Sequence, residues 1–260
     1  MTEPAPVEGN TGVRSVANAL RVIEALAEAQ PVGVSELARL VDLPKSSVFR
    51  NLRTLESSGW ARHDGSDNPR WSLTQRVFSV GLSALSDSSL QDHAVTVMRA
   101  LRDRYGETVH LTVPDGADVV VISRIDGTNS LRTFLELGVR APMLSTAGGR
   151  AMLSAMPDEV LDELLARGAR RHTDRTKLDA KSIRAEVQRC RDRGYATNEA
   201  EWRADIAAIA APVVGRSGRV IAAISISMPH ARLAELGQEE AGPWLVAKCR
   251  EVSRAMGSGP

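Results

Sequence analysis

The chain has 260 residues, 43% of them hydrophobic and 25% charged, and a formal net charge of +1. These values are typical of one or two ordinary globular domains with real cores, and they indicate no function by themselves. No stretch approaches the ~18 consecutive apolar residues of a membrane span, and the Pro- and Glu-containing N-terminus lacks the apolar core of a signal peptide. We therefore predict a cytoplasmic protein without a membrane partner.

Three helical patterns open the folded part of the chain. The first begins after Ser15, which can serve as an N-cap, and ends before Pro31. A short second helix with Leu37, Ala38 and Val41 on its apolar face is followed by a third, with inward residues Val48, Leu52 and Leu55. Only residues 42–44 separate these two helices, and so tight a turn is the signature of a helix-turn-helix.

A hairpin and a connecting helix are predicted next. Residues 60–63 and 70–73 are strand-like runs around the turn-forming cluster 65–69, which indicates a hairpin, or wing. Thr74 can cap a further helix that runs to about Ser86, and its inward positions would be Val77, Val80, Gly81 and Leu85.

From about residue 89 the pattern changes to interspersed helices and strands. Helices are predicted at 90–105, 147–155, 158–166, 181–193 and 243–256, and strands at 108–113, 119–125, 131–137, 206–214 and 220–228. Hairpin-linked strands with helices grouped around them indicate an α+β fold with a mainly antiparallel sheet. The predicted segments are a disordered tail (1–13), a winged helix-turn-helix (14–74), a linker helix (75–88), a second domain (89–256) and another disordered tail (257–260).

A local excess of positive charge marks the helix-turn-helix. Between Lys45 and Arg76 there are six basic and three acidic residues, a surplus that a DNA-contacting module needs. The face of the third helix opposite its apolar residues would lie in the major groove. The predicted DNA-binding residues, on this face and on the wing, are Lys45, Ser46, Ser47, Phe49, Arg50, Arg53, Arg62 and Arg70.

The expected roles of these residues differ with their chemistry. Two serines and Arg50 suit base edges, Phe49 suits a thymine methyl, and Lys45 and Arg53 suit phosphates. The alternative is a small helical domain whose charged face is merely solvated, since helix-turn-helix spacing also occurs by chance. A second basic stretch, residues 167–177, has no groove-entering element beside it and is interpreted as an exposed loop.

The order of motifs along residues 14–250 resembles the IclR family of bacterial transcription regulators. The resemblance implies a winged helix-turn-helix, a connecting helix and a GAF-like effector-binding domain, and a homodimer or homotetramer on inverted-repeat, double-stranded operator DNA. The motifs that carry it are Val34-Ser35-Glu36-Leu37-Ala38, Leu43-Pro44-Lys45-Ser46-Ser47-Val48-Phe49-Arg50, Gly59-Trp60, Thr146-Ala147-Gly148-Gly149-Arg150-Ala151, Arg193-Gly194-Tyr195-Ala196, Ile209-Ala210-Ala211-Pro212-Val213 and Ile224-Ser225-Ile226-Ser227.

The same resemblance implies where an effector would bind. Free amides at a helix start near Ala147 can hold a carboxylate, and strand hydroxyls can complete its hydrogen bonds, so a small organic acid is the leading ligand class. The alternative is that these small residues have a purely structural role in packing. The effector-binding residues implied are Thr133, Ala141, Ala147, Gly148, Gly149, Asn198, Ala208, Ser225 and Ser227, with Ser130 nearby.

Some residues depart from the family pattern. The family commonly has Gly, Arg and Cys where this chain has Asp205, Ala207 and Ala208, and often an acidic residue in place of Asn198. The smaller side chains leave room for an acid that is bulkier or more apolar than pyruvate-like molecules, whereas Asp205 would repel an anion if it faced the pocket. Asn51 occupies a usually apolar position of the third helix.

An enzyme is the rival interpretation, and few residues favour it. Cys190 and Cys249 form no CxxC pair, the five histidines are scattered, and no GxSxG, HExxH or Walker-type loop is present. We predict no catalytic residues, no metal and no cofactor. A fold-retaining ligand- or partner-binding protein without DNA binding stays open as an alternative, as do repressor and activator.

Overall fold

The computed structural model of the protein describes residues 13–84 and 88–257. Its contacts divide the chain between residues 86 and 87 into two units. Helices and strands are numbered separately in chain order. The predicted tails 1–13 and 257–260 fall almost wholly outside the described residues, and so do Leu85 and Ser86 of the predicted linker helix.

The N-terminal unit is three helices on a small antiparallel sheet, followed by a fourth helix. The elements are α1 (Arg14–Ala29), β1 (Val32–Gly33), α2 (Val34–Leu40), α3 (Lys45–Ser57), β2 (Ala61–His63), β3 (Arg70–Leu73) and α4 (Arg76–Ala84). The sheet has the order β1-β3-β2, and Trp71 of β3 pairs with Val32 of β1.

Apolar residues at helical spacing build the core of this unit. Val48, Leu52 and Leu55 of α3 are buried as predicted, against Val22 and Leu26 of α1. The winged helix-turn-helix is thereby confirmed, with β1 as an additional strand that the sequence did not suggest because it has only two residues.

Two details of the N-terminal unit differ from the prediction. Ser15 is not an N-cap, because α1 already begins at Arg14 and its cap residue, Val13, makes no side-chain hydrogen bond. In α4, Val80 and Gly81 are exposed rather than inward. Thr74 does receive a hydrogen bond from the Arg76 amide at the start of α4, at 3.3 Å.

The C-terminal unit combines helices with a six-stranded sheet. The elements are α5 (Ser88–Tyr105), β4 (Thr108–Asp115), β5 (Asp118–Ile125), β6 (Arg140–Pro142), α6 (Ala147–Ser154), α7 (Asp158–Ala166), α8 (Ala180–Arg193), β7 (Ala196–Glu199), β8 (Ile206–Val214), β9 (Val220–Pro229) and α9 (Gln238–Ala255). The strand order is β6-β5-β4-β9-β8-β7, and all strand pairs are antiparallel, as predicted.

Strand alternation divides the side chains of this sheet between two cores. In β9, Ile224 and Ile226 belong to a core with α5 and α9, whereas Ala223 belongs to a second core with α6, α7 and α8. Because successive side chains point to opposite faces, Ser225 and Ser227 lie on the α6 face. The same alternation in β4 places His110 and Thr112 on that face, opposite the core residues Val109 and Leu111.

The segment 131–137, predicted as a strand, is irregular. Side chains bind its backbone in place of a strand ladder. The Leu135 amide donates to the His110 ring, the Leu135 carbonyl accepts from Arg124, and the Leu131 carbonyl accepts from Arg232. The last helix also differs, since α9 begins at Gln238, five residues before the predicted start at Pro243.

Candidate functional site

The N-terminal unit presents the outer face of α3. Lys45, Ser46, Phe49, Arg50 and Arg53 are exposed, and Phe49 is 47% accessible although it is aromatic. Ser47 is half-buried. Asn51, also half-buried, lies between the buried and exposed faces, so the polar residue at this position does not interrupt the core.

An open groove joins this face to the wing. It places Lys45, Ser46 and Phe49 of α3 opposite Asn68 and Arg70 of the wing. Residues on and just before α2 complete the groove, and none of them was predicted to bind DNA: Gly33, Val34, Ser35, Glu36 and Arg39. A helix face beside a hairpin suits a nucleic-acid duplex, because the helix can enter the major groove while the hairpin contacts the adjacent phosphate backbone.

The basic residues of this surface differ in how far they are already paired. Arg53 forms an ion pair with Glu56 at 2.5 Å, and the Arg70 guanidinium donates to the Pro31 carbonyl at 2.6 and 3.1 Å. Within residues 13–84, by contrast, no carboxylate pairs with Lys45, Arg50 or Arg62 in the structure. Arg39 of α2, which lines the groove, has no carboxylate partner among these residues either, so these four cations are available to an external anion.

The wing turn is ordered by Asp64. One carboxylate oxygen of Asp64 accepts from the Ser66 amide and hydroxyl and from the Arg70 amide, at 2.9 to 3.2 Å. The hydrogen bonds from the Ser66 and Arg70 amides lower the pKa of Asp64. The negative charge thus stabilises the turn, which holds Arg70 at the groove.

The C-terminal unit contains a cavity on the α6 face of its sheet. It leaves about 50 Å³ open to the centres of water molecules, it is partly open to solvent, and its lining is mostly apolar. Strand register explains why polar groups meet here: His110 lies opposite Ser225, and Ala208 lies between Ser227 and Asn198. The lining residues are His110, Thr112, Val119, Leu135, Ala141, Thr146, Ala147, Gly148, Asn198, Trp202, Arg203, Ile206, Ala208, Ser225 and Ser227.

The start of α6 forms one wall of this cavity. The Thr146 hydroxyl oxygen caps the helix by accepting from the Gly149 amide at 3.2 Å. In the described chain, the amides of Ala147 and Gly148 donate to no protein acceptor and remain available. Two free N–H groups at a helix N-terminus favour an anion.

Seven of the nine residues predicted to bind an effector line the cavity, and two do not. A Cβ atom on Gly149 would lie 2.3 Å from the Met143 backbone, so this glycine allows close packing on the other side of the helix. Thr133 lies in the irregular segment, where its hydroxyl is buried without a partner among the described residues. Ser130 is exposed, and so is Asp205, which does not line the cavity.

The cavity also contains residues that the sequence interpretation missed. Arg203 is the one lysine or arginine that lines it in the described residues, and Trp202 lies beside it with the guanidinium 4.9 Å from the ring centroid. His110, Thr112, Val119, Leu135, Thr146 and Ile206 were also missed. The segment 200–205 has no periodicity that could have placed Trp202 and Arg203 here, and the strand-like alternation of 131–137 did not show that Leu135 would reach the cavity.

A buried ion pair holds the segment that carries Trp202 and Arg203. Arg150 of α6 binds both carboxylate oxygens of Glu201, and the Arg150 Nε donates to the Leu144 carbonyl at 2.9 Å. Lys177 adds a contact to Glu201 at 2.8 Å. Burial would raise the pKa of Glu201, but Arg150 and Lys177 outweigh it and lower that pKa.

Asn198 supports the same segment from within the cavity wall. Its side-chain amide donates to the Ser145 carbonyl, and its oxygen accepts from the Glu201 amide at 3.4 Å. Both polar atoms of Asn198 are thus engaged with the protein. This residue connects the start of α6 to the 200–205 segment.

Comparison with known proteins identifies both units. The family profile of the IclR helix-turn-helix domain matches residues 15–65, and that of the bacterial transcriptional regulator IclR C-terminal domain matches residues 82–256. The chain belongs to the IclR family. It is a DNA-binding transcription regulator, as the sequence motifs predicted.

Individual IclR-family proteins are similar over nearly their whole length. The regulator KdgR of Escherichia coli is 33% identical over 94% of this chain and 93% of its own. The E. coli repressor IclR is 29% identical over 97% and 93%. Among solved structures, Thermotoga maritima IclR aligns with a TM-score of 0.74 and 26% identity, covering 94% of this chain and 99% of its own.

One further IclR-family structure contains a ligand. An IclR homolog from Microbacterium hydrocarbonoxydans, complexed with 4-hydroxybenzoate, has a TM-score of 0.79 and 20% identity, covering 93% of this chain and 98% of its own. At this identity the likeness concerns the fold. In the described part of this chain, no helix is long and apolar enough for a membrane span, and no group of three or more His, Cys, Asp or Glu could hold a metal.

Proposed function

We propose that the groove beside α3 binds one half-site of an inverted-repeat operator. Lys45 and Arg50 of α3 and Arg62 of β2 in the wing support this, because they are exposed and have no carboxylate partner in the described structure. Arg50 would contact base edges, Ser46, Ser47 and Phe49 would adjoin it, and Lys45, Arg53, Arg62 and Arg70 would contact the backbone or minor groove. Such a protein acts in the cytoplasm, where its DNA lies.

The test compares operator binding by two charge-matched variants. Arg50→Ala removes the proposed base contact, and we expect about 1–3 kcal/mol of weaker binding, or roughly 5- to 150-fold. Arg219→Ala removes an exposed arginine of the other unit and should have little effect. Equal losses in the two variants, at one fixed salt concentration, would contradict the assignment of Arg50.

We propose that the cavity of the C-terminal unit binds a small organic acid. The supporting observation is that free amides of Ala147 and Gly148, hydroxyls of Ser225 and Ser227, and the cation of Arg203 surround a space whose lining is mostly apolar. Ala141, Ala208 and Trp202 favour an acid with an apolar or aromatic body. The 4-hydroxybenzoate complex of the related homolog makes this compound a suitable first probe.

The test is a thermal-shift titration with 4-hydroxybenzoate, benzoate and pyruvate. A ligand that binds only the folded state raises Tm as its concentration exceeds Kd. We expect stabilisation by an aromatic acid in the wild-type protein and a loss in Arg203→Gln, while Arg219→Gln, with an exposed arginine away from the cavity, behaves as wild type. Stabilisation that is unchanged in Arg203→Gln would contradict the role of that cation.

Binding, rather than catalysis, is the function that we propose for this cavity. Neither Cys190 nor Cys249 lines it. Burial raises the pKa of both thiols, that of Cys249 to about 12, so neither is a nucleophile at neutral pH. A hydrolysis product from 4-hydroxybenzoate esters would contradict this.

We propose that a second copy of the chain covers apolar residues of the N-terminal unit. Val16 and Leu20, one turn apart on α1, are 56% and 54% exposed, and Phe78 and Val80 of α4 are 64% and 50% exposed. A dimer would bury such residues and present two recognition helices about one DNA turn apart. Sedimentation should show a dimer or tetramer that Leu20→Glu weakens, whereas a monomeric wild-type protein would refute the proposal.

We further propose that effector binding changes operator affinity by altering the spacing of the two recognition helices through α4. An effector shifts such an equilibrium only by its differential affinity for the two states. The sign stays open, because an acid that favours either spacing would act. Unchanged operator affinity at a saturating concentration of a bound acid would refute this mechanism.

A further inference from the structure

A histidine on the cavity wall has both ring nitrogens engaged. His110 of β4 is 1% exposed. Its Nε2 accepts a hydrogen bond from the Leu135 amide at 3.0 Å, and its Nδ1 lies 3.2 Å from the Ser227 hydroxyl. The ring therefore joins the irregular segment 131–137 to a serine of the cavity.

The protonation of this ring follows from its two partners. A backbone N–H can only donate, so Nε2 must carry a lone pair. A neutral imidazole then has its proton on Nδ1, which donates to Ser227. Burial, with a smaller contribution from Arg124 and an opposing one from Asp126, lowers the pKa of His110 to about 4, so the neutral form prevails at physiological pH.

The tautomer determines whether the Ser227 hydroxyl accepts or donates in its hydrogen bond with His110. A hydroxyl that accepts from Nδ1–H keeps its own hydrogen for another acceptor. Ser227 lines the cavity, and no other partner of its hydroxyl is found in the described residues. The hydrogen is therefore available to a ligand oxygen in the cavity.

We propose that His110 is a positioning and specificity-determining residue, which makes Ser227 a hydrogen-bond donor and fastens Leu135 at the cavity. The selected ligand presents an acceptor oxygen, as a carboxylate does, to Ser227. A planar group with only N–H donors, such as an amidine, is rejected because it leaves the hydroxyl hydrogen without an acceptor. This inference rests on the proposed effector cavity and is independent of DNA binding.

The first experiment determines the tautomer in the full-length protein. Long-range ¹H–¹⁵N spectra of the imidazole rings distinguish Nδ1–H from Nε2–H, and the His110 signals are those missing from His110→Asn. We expect a neutral Nδ1–H ring from about pH 6 to about pH 8. An Nε2–H tautomer, or a ring that titrates near 6.5, the ordinary value, would overturn the proposal.

Two amide variants separate the two hydrogen bonds. An asparagine amide can reach the position of Nδ1 but not that of Nε2, whereas a glutamine oxygen can reach the Nε2 position. Hydrogen exchange at the Leu135 amide should therefore be fast in His110→Asn and slow in wild type and His110→Gln. Equal protection of this amide in the wild type and His110→Asn would overturn the contact with Leu135.

The ligand experiment uses shape-matched pairs of probes and no DNA. Benzoate is compared with benzamidine, and 4-hydroxybenzoate with 4-hydroxybenzamidine, by NMR shifts at Ser227. We expect an acid to shift Ser227, and the acid-over-amidine preference to fall about tenfold or more in His110→Leu but to persist in His110→Asn. Three outcomes would overturn the proposal. They are a shift of Ser227 with an amidine, no shift of Ser227 with any of the acids, and an acid-over-amidine preference in His110→Leu equal to that of wild type.

These outcomes are separable from failure of the proposed regulator function. Loss of operator binding would leave the tautomer and the acid preference in place, because neither readout involves the N-terminal unit. Conversely, an intact operator complex with the wrong tautomer at His110 would refute only the present inference.

Discussion

Adjacent glycines at the start of α6 should respond very differently to alanine. A Cβ atom at position 149 would lie 2.3 Å from both the Cα and the carbonyl oxygen of Met143. These are backbone atoms that cannot rotate away, so Gly149→Ala must displace α6 from the preceding turn. Overpacking of this kind lowers the free energy of unfolding by about 1–3 kcal/mol. Because the atoms in contact belong to the backbone, we expect a loss of about 3 kcal/mol for Gly149→Ala.

Gly148→Ala is the matched control, one residue earlier on the same helix. The nearest atom to its Cβ would be the Thr112 hydroxyl at 3.0 Å, which belongs to a side chain and not to the backbone. Alanine is also the better helix former by about 1 kcal/mol, which offsets the crowding. We therefore expect the stability of Gly148→Ala to lie within about 1 kcal/mol of wild type, with weaker binding of acids because the methyl group enters the cavity.

The assay is urea unfolding of the full-length protein, with calorimetry for Tm. For a unit of this size, a loss of about 3 kcal/mol corresponds to about 6–12 °C. Similar losses of stability in the two variants, or a Gly148→Ala protein that is less stable than Gly149→Ala, would refute the proposed packing. Binding of acids by Gly148→Ala as tight as by wild type would refute the place of Gly148 in the cavity.

Further predictions concern the buried charges and the DNA-binding face. Glu201→Ala leaves the Arg150 cation buried without its partner and should lower the free energy of unfolding by about 3 kcal/mol or more. Asp162→Ala breaks only the exposed pair with Arg184 and should change this free energy by less than about 1 kcal/mol. Comparable losses in the two variants would contradict the account. The free energy of unfolding should fall by up to about 3 kcal/mol as pH drops from 6.5 toward about 4, because His110 takes up a proton in the unfolded chain but not when it is buried. The buried ring faces Arg124, Asp126 and Ser227. A pH dependence of the urea midpoint that is unchanged in His110→Asn would refute this. Arg53→Ala, which removes a cation already paired with Glu56, should weaken operator binding less than Arg50→Ala, and the reverse order in a fluorescence titration would overturn the ranking.

Sequence periodicity was sufficient to predict most helices and the inner strands. The spacing of Val48, Leu52 and Leu55 predicts α3 and thereby the exposed face that carries Arg50. At the start of α8, Asp179 accepts from the Ser182 amide, and after its end Gly194 adopts the left-handed conformation, so both residues are local signals of that helix. Local signals of this kind need no knowledge of distant contacts.

The segment 131–137 shows where local signals fail. Its apolar residues alternate as in a strand, but strand formation needs a partner edge, and here the backbone groups of Leu131 and Leu135 bind the side chains of Arg232, His110 and Arg124. Such long-range hydrogen bonds leave no trace in periodicity. The helix start at Gln238 was missed for a related reason, because Pro243 was interpreted as a first-turn residue and not as one inside the helix.

The cavity could be predicted from its motifs but not completed from them. The resemblance to the IclR family led to Ala147, Gly148, Ser225 and Ser227, whereas His110 and Arg203 come from a strand and a loop that contain no motif. His110 enters through the register between β4 and β9, and Arg203 through the buried pair of Arg150 and Glu201. Both follow from tertiary structure alone.

The most direct test of the central claim is an equilibrium titration of the full-length protein with DNA from immediately upstream of its own gene. An unrelated fragment is measured beside it at the same salt concentration, each with and without a saturating acid identified by thermal shift. We predict selective binding of the upstream fragment, its loss in Arg50→Ala, and a change in affinity on addition of the acid. Equal, weak binding of both fragments that neither the acid nor Arg50→Ala alters would contradict the account.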